Sequence, residues 1–352
     1  MLGRRMTRLF ASLFLLALFV SPSHSAAVRW NNAAGGNWNV PGNWTPAAVP
    51  TAADTAVIDL AGTYTVTVNQ NLAIAGLRIT GSASGTQTLT AVSRTMAFSG
   101  PVTIGAQGVA NWSSCTVSGA GAITNDGTLT STGTSVAQAL ANNGSLIVIS
   151  ASSQNGAFTS GAGSLLRVLG NASFNSALTV ANGFTNNGAI ELTSSGAATS
   201  ATLTVTAGTL VNAAGATISS LVGSSGARNL NAKLDNQGTI TVAQAMTTNK
   251  ASVASTNAGT IDLTTGDYTI IISGAAHSFT TTGTINVPSG RTLTLQGGAV
   301  GGAGQNFFYS GGTMGGAGTV ALLNSTLNLN TPLASDMARL DGTTATLAGP
   351  QP

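Results

Sequence analysis

The sequence has 352 residues, of which 6% are charged, 5% are aromatic and 45 are glycine. Frequent, regularly placed aliphatic and β-branched residues exclude a disordered chain. Apart from the N-terminus, the absence of any run of about 18 apolar residues excludes a transmembrane helix despite the positive mean hydropathy.

Residues 1–25 read as a secretory signal. Arg4, Arg5 and Arg8 form a basic start, residues 9–20 an apolar stretch, and Ser23-His24-Ser25 puts small residues at −3 and −1 of a cleavage site. This segment holds three of the twelve basic residues and none of the nine acidic ones. The net charge of +3 therefore belongs to it, and the remaining chain is neutral with no basic cluster. That excludes nucleic acid and an anionic membrane surface as partners. Cys115, the one cysteine, allows no intrachain disulfide and is expected as a buried strand thiol. No basic residue or His lies near it in sequence to activate it.

Residues 26–80 form an opening module. It holds Trp30, Trp38 and Trp44, then Val49-Pro50, Asp54-Thr55-Ala56-Val57-Ile58, Tyr64-Thr65-Val66-Thr67-Val68 and Ile74-Ala75-Gly76-Leu77-Arg78-Ile79. The order W, G-G-x-W, N-W, V-P, D-x-A-x-I, Y-T-V-T-V resembles the N-terminal module of large exported bacterial β-helix proteins. These are autotransporter-passenger-like and haemagglutinin-like surface proteins. The resemblance implies a β-helix, export and an adhesin-like surface role. From the residues alone, a Trp-rich turn segment suits the cap that an open solenoid end requires. The rival reading is a glycan platform, with Trp38 and Trp44 as the rings that stack on sugar.

Residues 81–330 read as a repeat array. Its phrase is Asn-x-Gly followed by a small and then an aliphatic residue: Asn125-Asp126-Gly127-Thr128-Leu129, Asn142-Asn143-Gly144-Ser145-Leu146, Asn186-Asn187-Gly188-Ala189-Ile190, Asn236-Gln237-Gly238-Thr239-Ile240 and Asn257-Ala258-Gly259-Thr260-Ile261. Looser copies end at Ile218 and Ile285. Return every twenty or so residues marks a solenoid. Asn and Gly tolerate positive φ, so the phrase reads as a tight corner. The alternation after it reads as a strand with one buried face. The fold expected is all-β, a parallel β-helix of irregular rungs, about a dozen of them, with stacked Asn side chains forming a ladder. Residues 331–352 read as a polar tail, and the last rungs lack an evident cap, which points to a fragment of a longer chain.

The chemistry is sparse. After residue 25 there are eight Asp and one Glu, scattered singly, and the closest pairs, Asp54 with Asp59 and Asp262 with Asp267, have no basic neighbour in sequence. They read as solvated strand and turn acids, with Asp262 outward between Ile261 and Leu263. His277 is the one histidine left, too few for a zinc site. Gly301-Gly302-Ala303-Gly304 and Gly315-Gly316-Ala317-Gly318 lack the Asp of calcium-binding nonapeptides. No catalytic, cofactor or metal residue is therefore assigned. Thr-x-Thr runs raise an ice-binding reading, but the uneven repeat spacing is expected to break the ranks. The expectation is an exported, non-enzymatic scaffold with glycans or cell-surface components as partners. The alternative is a carbohydrate-active enzyme on the same fold, which a cluster of acidic and basic side chains on one face would favour.

Overall fold

The computed structural model describes residues 26–80, 84–274, 277–298, 305–333 and 339–349. The signal segment, the run Gly301 to Gly304 and part of the C-terminal tail lie outside them.

The chain winds into a parallel β-solenoid of roughly 12 turns. Most turns contribute three strands, and Ala201–Asn212 and Arg228–Asn236 each run through two faces as one strand. One turn, for example, is Ala254–Asn257, Thr260–Leu263 and Tyr268–Ile271, and the next begins at Ser278–Thr281. Each strand pairs in parallel with its equivalent one turn on, giving three long faces. Period-two alternation drives this directly. On the second face Ile190, Ile218, Ile240, Ile261, Ile285 and Met314 stack in one inward column, all fully buried. Burial of each such aliphatic side chain favours folding by about 1.5–3 kcal/mol.

The first face carries a column that changes chemistry along the solenoid. It starts apolar with Ile58, Ile79 and Ile104. It then becomes polar through Asn125, Asn142, Ser160, Asn186, Asn212, Asn236, Asn257 and Thr281. These polar residues are buried, and amide joins amide from turn to turn. Asn125 Nδ2 donates to Asn142 Oδ1 at 2.7 Å, Asn186 to Asn212 at 2.9 Å, Asn212 to Asn236 at 2.8 Å and Asn236 to Asn257 at 2.7 Å. Ser160 stands in for an amide and donates to Asn186 Oδ1 at 3.2 Å. The second amide hydrogen reaches a main-chain carbonyl of the next corner, Ser145 from Asn125 and Thr260 from Asn236. Every donation points toward the C-terminus. Asn125 Oδ1 is consequently left without a partner, because Ile104 sits beneath it.

Most glycines of the repeat phrase differ from expectation, and Gly215, in the copy ending at Ile218, is the one with the expected positive φ, at 85°. Gly127, Gly144, Gly188, Gly238, Gly259 and Gly283 are not in the left-handed region. They are needed for close approach instead. A Cβ on Gly259 would overlap the Gly238 carbonyl oxygen, and one on Gly283 the Gly259 carbonyl oxygen. The N–H groups of Ala258 and Gly259 both donate to the Asn236 carbonyl, at 2.8 and 2.9 Å, which pulls one corner onto the last. Left-handed backbone is used at a different corner, between the second and third faces, by Ser93, Ser114, Gly133 and Ser150.

The parallel stack runs without interruption across residue 80 and continues beyond residue 330, where Arg339–Thr343 pairs with Thr319–Leu323. At the other end, Ala26–Trp30 lies in parallel on Asp54–Ile58. The chain then turns back so that Trp44–Thr45 covers its free edge in antiparallel register.

The ladder's polarity gives a graded expectation. Asn212→Val removes two ladder bonds, from Asn186 and to Asn236, and should cost about 2–4 kcal/mol, whereas Asn125→Val removes one, to Asn142, and should cost about 1–2 kcal/mol. Urea unfolding of both variants beside the parent chain measures the difference, and equal losses would refute the directional ladder.

Candidate functional site

Trp38 and Trp44, the rings expected for a glycan platform, are 0% and 1% exposed. Trp44 meets Trp30 and Trp38 edge-on, with centroids 5.0 and 4.7 Å apart, and its Nε1 donates to the Trp38 carbonyl at 2.8 Å. Neither ring offers a face to a ligand, which corrects the platform reading at these positions. The reason is that the segment must both pair with the first turn and plug its interior, and three indoles supply the volume.

The acids are spread along the solenoid, and each described carboxylate has a non-acidic partner. Asp54 accepts the Thr51 N–H and hydroxyl, Asp126 an amide hydrogen of Asn143, and Asp235 the Gln237 amide and Thr256 hydroxyl. Asp262 points outward as expected and accepts from Asn286 Nδ2 at 2.7 Å. The sequence-distant basic partners are the surprise. Winding puts Arg29 against Asp59, Arg167 against Glu191 and Arg291 within 3.8 Å of Asp267. They are salt bridges between turns, which linear spacing does not show. Among the described residues no group of three or more His, Cys, Asp or Glu is placed to hold a metal ion. A groove of about 210 Å³ over the first turns is lined by Ala52, Ala73, Ile74, Ala97, Phe98 and neighbouring small residues, none ionisable.

Cys115 is buried at the corner after Gly108–Ser113, not in a strand. Its Sγ lies 3.3 Å from the Ser113 carbonyl and 3.4 Å from that of Ala91. Burial pushes the thiol pKa up, against a smaller opposing pull from main-chain hydrogen bonds and from Arg94 of the preceding turn. One turn on, Thr134 Oγ1 donates to the Trp112 carbonyl at 3.0 Å, and Ser152 then donates to Ser131. The thiol is one member of a column of small donors. His277 is buried, its pKa lowered by desolvation, with Nδ1 3.0 Å from the Ser273 backbone.

The outer surfaces hold ordered ranks. Thr217, Thr239, Thr260, Thr284 and Thr313 stand in one column of the second face, as do Thr65 and Thr88 near the start. Unequal turn lengths do not break the ranks, contrary to expectation, because the extra residues leave at the corners and the strands keep register. What interrupts the column is side-chain type, at Val109, Leu165 and Ala189.

One element escaped sequence reading. Arg228 is 0% exposed and, among the described residues, has no carboxylate partner. Its guanidinium donates to the carbonyls of Leu221, Val222, Thr199, Gly226 and Ala227 and to Ser194 Oγ, at 2.9–3.3 Å. Desolvation lowers its pKa. The inward alternation Arg228-x-Leu230-x-Ala232-x-Leu234 was the available signal. Comparison with protein-family models, characterised proteins and solved structures finds no match for this chain.

Replacing Arg228 by Met should cost about 2–4 kcal/mol, because several buried carbonyls lose their donor at once. Limited proteolysis should then cut first within residues 195–200 and 221–227, and an unchanged cleavage pattern would deny the pinning role.

Proposed function

We propose that this protein is an exported, non-enzymatic β-solenoid scaffold of the bacterial surface or exterior, adhesin-like in character. The observation that carries the proposal is the set of in-register threonine ranks on the long second face. Repeated weak hydrogen-bonding groups at a fixed rise of ~4.8 Å per turn suit multivalent contact with glycans or other cell-surface matter. The dispersal of the described carboxylates, each already engaged, supports the scaffold over a carbohydrate-active enzyme, which requires two carboxylates or an acid and a base converging on one bond. The N-terminal signal pattern supports export.

Expression of the whole chain in a Gram-negative host, with fractionation and protease shaving of intact cells, tests the placement. The expected result is a mature N-terminus at Ala26 and full accessibility outside the cell. Retention in the cytoplasm with residues 1–25 intact would overturn it. Release of new reducing ends or unsaturated sugars from any polysaccharide would overturn the non-enzymatic part.

A further inference from the structure

The corner between the second and third faces is tight in the early turns: Ser145–Ile149 and Ala151–Gln154 are separated by Ser150 alone. In the three turns that follow, the chain leaves this corner as loops of residues 171–175, 195–200 and 221–227. The loops stack on one another. The Gly196 N–H donates to Ser224 Oγ at 2.8 Å, the Ser200 N–H to Asn175 Oδ1 at 2.8 Å, and Ser194 Oγ to the Ser225 carbonyl at 2.7 Å. A Cβ on Gly196 would press on Ala172, and one on Gly226 would overlap the Thr199 carbonyl.

Each outer loop presents an apolar side chain from a fixed backbone. In the first, the Asn171 N–H donates to the Phe174 carbonyl at 3.0 Å, while Asn171 Oδ1 accepts the N–H groups of Ser173 and Phe174 at 2.9 Å. Phe174 is 46% exposed, whereas the other described aromatics are buried or, for Phe308, half-buried. In the third loop, Arg228 holds the Leu221 and Val222 carbonyls from beneath, and Val222 is 50% exposed. An aromatic ring kept in water by several hydrogen bonds is a pre-organised contact, since little conformational entropy remains to be lost on binding. Binding residues on loops over a rigid frame are the common arrangement.

We propose that this corner is a binding site for a neutral oligosaccharide, with the ring of Phe174 stacking on the apolar face of a sugar. The site deepens the glycan-contact part of the function proposed above and rests on it. The three loops carry no charged side chain and the one cation beneath them is sealed, so an anionic polymer has nothing to pair with. The exposed rim is Ser173, Asn175, Ser195 and Ser224, hydroxyl and amide groups matched to sugar hydroxyls. One ring and one isopropyl group fall far short of the ~800 Å² per partner of a stable protein interface, while they suffice for a sugar face.

Titration of the purified chain against neutral gluco-, manno- and galacto-oligosaccharides, with sulfated and uronic acid polymers as comparison, tests the site. Phe174→Ala, Phe174→Trp and, in the N-terminal cap, Val40→Ala, a substitution at an exposed residue outside both the loops and the threonine ranks, accompany the parent, each with its melting curve. The site predicts retention of a neutral oligosaccharide, a loss of about tenfold or more in affinity for Phe174→Ala, and retention in Phe174→Trp and Val40→Ala. Neutral-glycan binding indifferent to Phe174→Ala would overturn this site and leave the surface-scaffold reading intact, with contact assigned to the flat faces. Binding of only the anionic polymers, or of no glycan at all, would also overturn it, whereas the shaving experiment decides surface placement independently.

Discussion

The buried amide ladder sets the terms for everything stacked around it. An Asn side chain inside an apolar core forfeits its hydration and is tolerated only when its donors and acceptor are met. Here Asn125, Asn186, Asn212 and Asn236 each donate to the amide one turn on, so these amides are satisfied only if the turns stand in one register. A slip of one residue would drive Ile240 or Ile261 to the surface and bring a Thr inside, and it would break the amide chain at the same point. Apolar columns alone would tolerate a shear of two residues. The directional amides do not. In a fold whose stability is a sum of nearest-neighbour terms, the ladder is thus the device that makes the sum refer to one alignment.

This explains how turns of unequal length coexist with straight faces. Ladder neighbours are separated by 17 residues between Asn125 and Asn142 and by 26 between Asn186 and Asn212, yet each pair meets within hydrogen-bond distance. The excess is expelled at the corner opposite the ladder's strand, where residues 171–175, 195–200 and 221–227 leave the wall. The corner between the second and third faces absorbs loops of five to seven residues here, whereas the corner after the ladder is two residues long wherever it reads Asn-x-Gly and four at residues 161–164 and 213–216. The same division of labour puts the tighter geometry on one edge of the prism and the longer, more variable loops on another.

Much of this was legible in the sequence, and the misreadings have physical causes. The phrase at Asn236-Gln237-Gly238-Thr239-Ile240 announced the repeat, the inward Ile and the stacked amides, because period and alternation are properties of the linear chain. It did not announce why Gly238 is glycine. Positive φ and close backbone approach leave the same residue behind, and only the stacked neighbour, the Ala216 carbonyl, tells them apart. The left-handed positions at Ser93, Ser114 and Ser150 were invisible because serine is unremarkable in a chain rich in it. Trp38 and Trp44 were ambiguous for a related reason: an indole is equally at home plugging a core or facing a sugar, and its neighbours in space decide. Salt bridges such as Arg29 with Asp59 span a whole turn, so no local window holds both partners.

Arg228 and Phe174 together show where such a structure departs from its own repeat. Among the described residues Arg228 is the one arginine, lysine or carboxylate in the buried set, and a guanidinium there costs desolvation without a counter-ion to offset it. The cage of carbonyls compensates by hydrogen bonding, and it can form only because the loops of residues 195–200 and 221–227 curl their main chain toward the cation. A chain selected for stacking alone would have no use for those loops, since deleting them would bring the corner back to the one-residue turn seen at Ser150. An expensive internal fixture that holds exposed loops still, next to a loop whose own side chain pins an outward ring, is the arrangement expected where local consistency has been given up for contact with something outside the chain.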